Sequence, residues 1–526
     1  MPLKTQPCPI VDGENTEVTA DFIYQVNDSD LCSMLKMIKE KHGADVQLLP
    51  IGACSGGGGI FQKTQKRMGP IVGLKWNTVP SPNISIETTV GLLNVEPTDI
   101  YIDTAAQTIS VGAAVSLEQI NTALGDQLGC EYRVLGADLT SYQYAQAGAT
   151  FMTGGMGPQR RYFSDSVIQI CLFDGESKRV VSGSELQSCA GTYGWTGLVT
   201  ALTCQYVKTP ANEFAFAIPV ADQPDALSAL LDHLARYCFF DIHESKVVSG
   251  NDTPTVVFGL EHVTVESMTP LLNNSSDPTV LRRCNELRQK CAAADANGII
   301  FVNGFSDSSL DEVLMEMIDD VDSEVLTIAG IDLQHTESFN RPDEMREFRE
   351  AIPFAARTQQ PEGQYLKKGH TDGVIRLNPN QVKLAMHQLW QANMRYVESV
   401  QKKFTDSPEV DGQILVYGHM NPYGVDPHNR ITMASDNRKA LDRCHHELEQ
   451  YKARFYQELK QICIATDSKF IGGEKGAASE SEIIPALGGA TQLPEHLAKK
   501  LSQQKNQIAK ASALFNWRAP STHIPE

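Results

Sequence analysis

The stretch Gly191-Thr192-Tyr193-Gly194-Trp195-Thr196-Gly197-Leu198-Val199-Thr200 sets glycines at every third position just ahead of an apolar run. Taken alone it reads as a tight turn feeding a strand, because glycine accepts backbone angles that other residues resist. Two more glycine-rich segments lie upstream: Pro50-Ile51-Gly52-Ala53-Cys54-Ser55-Gly56-Gly57-Gly58-Gly59, and Ala147-Gly148-Ala149-Thr150-Phe151-Met152-Thr153-Gly154-Gly155-Met156-Gly157-Pro158. The earlier of these directly follows the strand-like Val46 to Leu49. A glycine-rich turn leaving a strand can offer successive backbone N–H groups to a phosphate, since no Cβ blocks close approach. It lacks the Gly-Lys-Ser/Thr ending of a P-loop and the Gly-x-Gly-x-x-Gly spacing of a Rossmann turn. The alternative for each segment by itself is an ordinary turn or surface loop.

Around these segments, residues from about Phe22 to Val207 alternate strand and helix signals. Val46 to Ile51, Ile71 to Leu74, Ile100 to Val111 and Val167 to Phe173 are apolar runs between turn signals. Ser116 to Leu128 predicts a helix, with a Ser cap and Leu117, Ile120, Leu124 and Leu128 on one face. After Thr209-Pro210 the texture shifts to longer helical patterns at Pro224 to Tyr237, Leu281 to Ala294 and Ser309 to Met317, which starts a second domain near residue 210. Val382, Ala385, Met386, Leu389, Trp390, Val397 and Val400 form one helical stripe. Leu441, Cys444, Leu448, Tyr451, Phe455, Leu459 and Ile462 form another. Both stripes are assigned to core. Phe470 to Gly489 reads as an irregular loop around Gly472-Gly473-Glu474-Lys475-Gly476.

The 526 residues suit two to four folding units, and 41% hydrophobic with 21% charged residues is the balance of a water-soluble globular protein. A formal net charge of -19 opposes nucleic acid and anionic membrane as partners. Met1 to Ile10 has no basic region leading into an apolar stretch, and no run of about 18 apolar residues occurs, so no transmembrane segment is expected. The 12 cysteines are scattered without a Cys-x-x-Cys pair, which predicts reduced thiols in a cytoplasmic protein and no structural zinc.

In order and separation the glycine-rich segments resemble those of the FAD-linked oxidase superfamily, the vanillyl-alcohol-oxidase or PCMH-type fold. The likeness is greatest to its D-lactate, glycolate and D-2-hydroxyglutarate dehydrogenase branch. The first segment is similar to Pro-Arg-Gly-x-Gly-Thr-Ser, with Ile51 for Arg and Cys54 for the second Gly. The second is similar to Ile-Gly-Gly-Asn-x-Ala-Thr-Asn-Ala-Gly-Gly, with Thr150 and Gly154 for the asparagines. The third resembles Gly-Ser-Glu-Gly-Thr-Leu-Gly-Ile-Ile-Thr, with Gly191, Gly194, Gly197 and Thr200 in register. Val111 to Leu124 and Ala513-Leu514-Phe515-Asn516 extend the likeness over most of the chain.

The resemblance implies an α+β protein: an N-terminal extension over residues 1–20, a PCMH-type FAD-binding domain of two α/β subdomains over 21–210, an α/β ferredoxin-like substrate cap over 211–505, and a C-terminal return over 506–526. It implies FAD contacts from Ile51, Gly52, Ala53, Cys54, Ser55, Gly56, Gly57 and Gly58, and from Asp138. Further contacts would come from Gly148, Ala149, Thr150, Thr153, Gly154, Gly155 and Gly157, then Gly191, Gly194, Gly197, Leu198 and Val199. The FAD would be noncovalent, because the first two segments contain no His and Cys54 replaces a backbone-contact glycine.

Flavin oxidation of a 2-hydroxy acid needs a cationic clamp for the carboxylate and a group to deprotonate or polarise the hydroxyl. The resemblance offers Arg357, Lys368 and Arg376 as the clamp. It offers His419 and His428 with Glu474 as catalytic groups or ligands of a divalent metal, zinc or manganese, with Asp426 as a substitute ligand. Relative to the family's Gly-His-x-Gly-Asp-Gly-Asn-x-His, the second His comes two residues late, behind Pro427. Lys475 stands where the family carries a His, and joins the catalytic candidates. The expected function is hydride transfer from a small 2-hydroxy acid to flavin N5, with a separate electron acceptor and a homodimer as the candidate assembly. The alternatives are oxidation of an aromatic or other neutral alcohol, and a flavin-binding protein with a noncatalytic cap.

Overall fold

In a computed structural model, the described residues lie between Pro2 and Gly472, with interruptions that include 53–70, 156–161, 191–193, 229–238, 307–335 and 353–360. The chain divides into two compact units, which meet in sequence at Thr209 and Pro210.

The first unit contains a four-stranded sheet in the order Pro2–Lys4, Phe22–Val26, Ile71–Trp76, Gln47–Ile51. Its last three strands run parallel. The helix Leu31–His42 connects Phe22–Val26 to Gln47–Ile51 and buries Leu31, Leu35 and Ile38, the apolar positions at three- and four-residue spacing. A six-stranded sheet runs in the order Lys178–Ser182, Val167–Phe173, Leu198–Gln205, Thr108–Gly112, Asp99–Asp103, Asn83–Ile86. The run Ile100 to Val111 folds as a hairpin of two of these strands. The Asp103 side chain accepts from the N–H groups of Ala105 and Ala106, and Gln107 takes φ 53°, which turns the chain inside an otherwise apolar run.

The predicted helix forms over Leu117–Leu128. Ser116 Oγ accepts from the Gln119 N–H at 3.2 Å and Gln119 Oε1 accepts from the Ser116 N–H at 3.0 Å, a reciprocal capping box.

The second unit is built on a nine-stranded sheet. Its order is Glu337–Ser338, Asn212–Val220, Gly298–Ser306, Val256–Thr264, Asp411–Asn421, Gly424–Ser435, Val374–Arg376, Lys469–Gly472, and Tyr365–Asp372 also pairs with Gly424–Ser435. The two stripes read from sequence are the helices Val382–Thr405 and Arg438–Ala465. They bury Trp390, Leu389, Leu448 and Phe455 against Ile218, Val302, Ile431 and Met433 of the sheet. On the opposite face, Pro278–Ala293 buries Cys284, Leu287 and Cys291 beside Ala217 and Phe301. No helix among the described residues is long and apolar enough to cross a membrane.

Burial pushes the thiols of Cys284 and Cys291 up to about 11 and that of Cys463 up to about 12. Cys32 and Cys130 are exposed. Since the thiolate is the nucleophile, brief maleimide labelling of the native protein, read by peptide mass mapping, is expected to modify Cys32 and Cys130 and spare Cys284, Cys291 and Cys463. Rapid labelling of the buried set would contradict this packing.

Candidate functional site

In the first unit the three glycine-rich segments come together. Gly52 approaches Ala149 so closely that a Cβ on Gly52 would lie 2.4 Å from the Ala149 Cβ. Gly194, at φ +80°, lies against Pro50, where a Cβ would meet Pro50 Cγ at 2.7 Å. Ala113 joins the remaining pair: its N–H donates to Thr200 O at 2.9 Å, and its carbonyl accepts from the Gly148 N–H at 3.1 Å. Gly197, at φ +134°, leaves no room for a side chain, since a Cβ would lie 2.4 Å from the Phe173 carbonyl oxygen. The glycines are what let the segments touch.

The second segment is a short helix, Ala147–Thr153, closed by Gly154 in the left-handed region at φ 71°, where the sequence in isolation suggested a turn. Thr150 turns inward and its Oγ1 donates to Gln146 O at 2.9 Å; Thr153 and Gly155 lie at the helix end. Leu198 and Val199 are buried at the start of their strand, and Asp138 is half-buried. Ala53, Cys54, Ser55, Gly56, Gly57, Gly58, Gly157 and Gly191 lie outside the described residues.

In the second unit the hairpin of Asp411–Asn421 and Gly424–Ser435 carries the candidate chemistry. Successive strand residues point to opposite faces, and directly paired residues share one. Val425, Ile431 and Met433 face the helices. The alternate positions of the same strand, Asp426, His428, Arg430 and Thr432, therefore line the other face, and all four are at most 3% exposed. His419 pairs with Asp426 and Tyr417 with His428, so both join that face.

His428 is the centre of the group. Its Nε2 lies 3.2 Å from Asp426 Oδ2. Tyr417 stacks on its ring at 5.2 Å between centroids, and His419 meets it edge-on at 5.0 Å. A carboxylate at this distance is placed to stabilise positive charge on the imidazole. The late position of His428 is explained by the register: Pro427 sits opposite Gly418 with its ring on the helix-facing side, and the imidazole stays beside His419.

Arg430 is a further candidate on this face that the sequence alone does not single out. A guanidinium at 3% exposure needs acceptors around it, and its fork geometry matches a carboxylate. Lys368 lies in register opposite Thr432 on the neighbouring strand and is half-buried. Arg376 is in the short strand Val374–Arg376. Arg357, Glu474 and Lys475 lie outside the described residues. Among the described residues no group of three or more His, Cys, Asp and Glu side chains is arranged to hold a metal ion, so His419, Asp426 and His428 do not form the expected metal centre by themselves. The Nε2 of His428 faces a carboxylate, as in an acid–base pair.

No family model matches the chain. No curated protein matches it either. Solved structures do. One described as alkyldihydroxyacetonephosphate synthase in P212121 superposes with a TM-score of 0.59 at 12% identity, over 96% of this chain and 77% of that one. A second, described as the same synthase in P1, gives a TM-score of 0.55 at 11% identity, over 94% of this chain and 78% of that one. At such identity the likeness is one of architecture alone, and it bears out the α+β fold of the PCMH type.

Proposed function

We propose that the protein is a noncovalent FAD-dependent oxidoreductase that oxidises a small 2-hydroxy acid, with the first unit as the FAD-binding domain. The Asp426–His428 pair, buried on one strand with Arg430 two residues further, is the observation that carries this reading. The convergence of Gly52, Gly148 and Gly194 suits FAD, because glycine-rich backbone without Cβ atoms permits the close approach that a pyrophosphate needs. FAD, when bound, supplies the hydride acceptor.

The chain's own residues supply the rest. Arg430 binds the substrate carboxylate through paired N–H donors. His428 Nδ1 takes the hydroxyl proton as the C–H bond gives up its electron pair, and Asp426 stabilises the imidazolium that results. His419 lies beside the same ring and can donate a hydrogen bond to the substrate oxygen.

The test is anaerobic flavin reduction by a panel of D- and L-2-hydroxy acids. One of them is expected to bleach the flavin, with no loss on adding chelator. Arg430→Met is expected to raise the substrate concentration needed by about 100-fold or more, the effect of removing a charge-assisted hydrogen-bond pair worth about 3 kcal/mol. Bleaching by aromatic or other neutral alcohols in place of hydroxy acids would favour the neutral-substrate reading, and bound flavin that no donor reduces would favour a noncatalytic protein.

The structural neighbours suggest a second reading, in which Arg430 anchors the phosphate of a substrate of the kind named in alkyldihydroxyacetonephosphate synthase. A phosphate ester that protects the wild-type protein thermally but not Arg430→Met, combined with no hydroxy-acid bleaching, would favour it.

A further inference from the structure

On the helix-facing side of the hairpin, directly behind the candidate catalytic face, lies a fully buried polar layer. Asn429, between His428 and Arg430 in the chain, is 0% exposed, as is Thr371, and Asn393 of the helix Val382–Thr405 is 1% exposed. The Asn429 side-chain amide uses both hydrogens, donating to Thr371 Oγ1 at 2.8 Å and to Asn393 Oδ1 at 2.7 Å. The Asn429 backbone N–H donates to the same Thr371 oxygen at 3.1 Å, and that hydroxyl donates to the Pro427 carbonyl at 3.3 Å. The hydrogen bonds therefore grip the backbone on both sides of His428. Through Asn393 they tie it to a 24-residue helix whose apolar stripe is packed in the core.

Ordinary strand pairing would not require any of this. Apolar residues would fill the same volume at lower desolvation cost, as Ile431 and Met433 do further along the strand. What the polar layer adds is direction: a hydrogen bond fixes distance and angle where an apolar contact tolerates sliding. His262, fully buried and edge-on to Trp390 at 4.7 Å, belongs to the same face, opposite Gly418.

We infer that Asn393 is a positioning residue for the reaction, acting through Asn429 and Thr371 to hold His428 and Arg430 at fixed height and angle on the opposite face of the sheet. The inference rests on the catalytic reading given above for His428 and Arg430.

The experiment compares wild-type protein with Asn393→Leu, Asn393→Asp and Thr371→Val, each as the full chain with flavin bound. Asn393→Leu is expected to lower the rate of flavin reduction at saturating hydroxy acid by about 10- to 100-fold, the effect of a small misplacement, with flavin content unchanged. Asn393→Asp keeps an acceptor oxygen in the same place and is expected to restore most of that rate. If Asn393→Leu does not fold, Thr371→Val removes a hydroxyl from the same network at nearly constant volume and is expected to act in the same direction. A rate within twofold of wild type in each folded variant would overturn the inference.

Histidine-selective nitrogen-15 spectra supply a readout that does not require turnover. The His428 ring-nitrogen shifts are expected to move in Asn393→Leu or Thr371→Val, and to return in Asn393→Asp; unchanged shifts would overturn the inference. If no hydroxy acid reduces the wild-type flavin, the reaction reading fails, and the ring-nitrogen shifts alone decide whether the tether positions His428.

Discussion

Replacing His428 with Asn is expected to lower the rate of flavin reduction by about 10²- to 10⁴-fold, the usual contribution of a positioned general base, while the flavin remains bound. His428 is 3% exposed and contacts Asp426, Tyr417 and His419. Asparagine keeps a polar planar group against Tyr417 but has no titratable nitrogen, so the proton acceptor proposed for the substrate hydroxyl is removed. Asp426→Asn should act in the same direction, since an amide beside Nε2 no longer stabilises the charge that the ring gains on taking up a proton. The measurement is stopped-flow flavin reduction with the best hydroxy acid found for the wild-type protein. A His428→Asn rate within threefold of wild type would remove this residue from the chemistry.

Gly194→Val is expected to strip the protein of flavin and to cost about 3 kcal/mol or more of stability. Gly194 sits at φ +80°, where a β-branched residue is strained, and its new Cβ would fall 2.7 Å from Pro50 Cγ. The strain alone would be tolerable; the contact with Pro50 is what separates the first glycine-rich segment from the third. Gly183→Ala gives the control. Gly183 also has a positive φ, +61°, but nothing lies within 4 Å of the added Cβ. It is expected to lose only about 1 kcal/mol and no flavin. Thermal melting with flavin content measured on the same samples checks both. Equal flavin occupancy in the two variants would contradict a cofactor role for the convergence of these segments.

Much of the scaffold was legible because its signals are local. Ser116 and Gln119 stand at capping-box spacing, and the apolar stripes of the two long helices repeat at three- and four-residue intervals, so helix positions followed directly. The hairpin inside Ile100 to Val111 was not, because Asp103 and Gln107 turn the chain within a run whose flanks are strongly apolar.

The candidate site was legible only in part. His419 and His428 were visible as a pair, but Arg430 was not. In Gly424–Ser435, Asp426, His428, Arg430 and Thr432 fall at every second position, the pattern that ordinarily marks the solvent face of a half-buried strand. Only their burial distinguishes Asp426, His428, Arg430 and Thr432 from such a face, and burial is a property of the fold. Asn393 was missed for a related reason: a lone amide beside an apolar helical stripe reads as solvent-facing, until its bond to Asn429 is seen.

Noncovalent FAD binding by this chain underlies the proposed function. Its most direct test is the visible absorption spectrum of the purified protein, recorded before and after acid precipitation, with the released cofactor identified by mass. A yellow protein that gives up one FAD per chain to the supernatant and leaves a colourless pellet is the expected result. A protein that is colourless as purified and takes up no FAD on titration would contradict it.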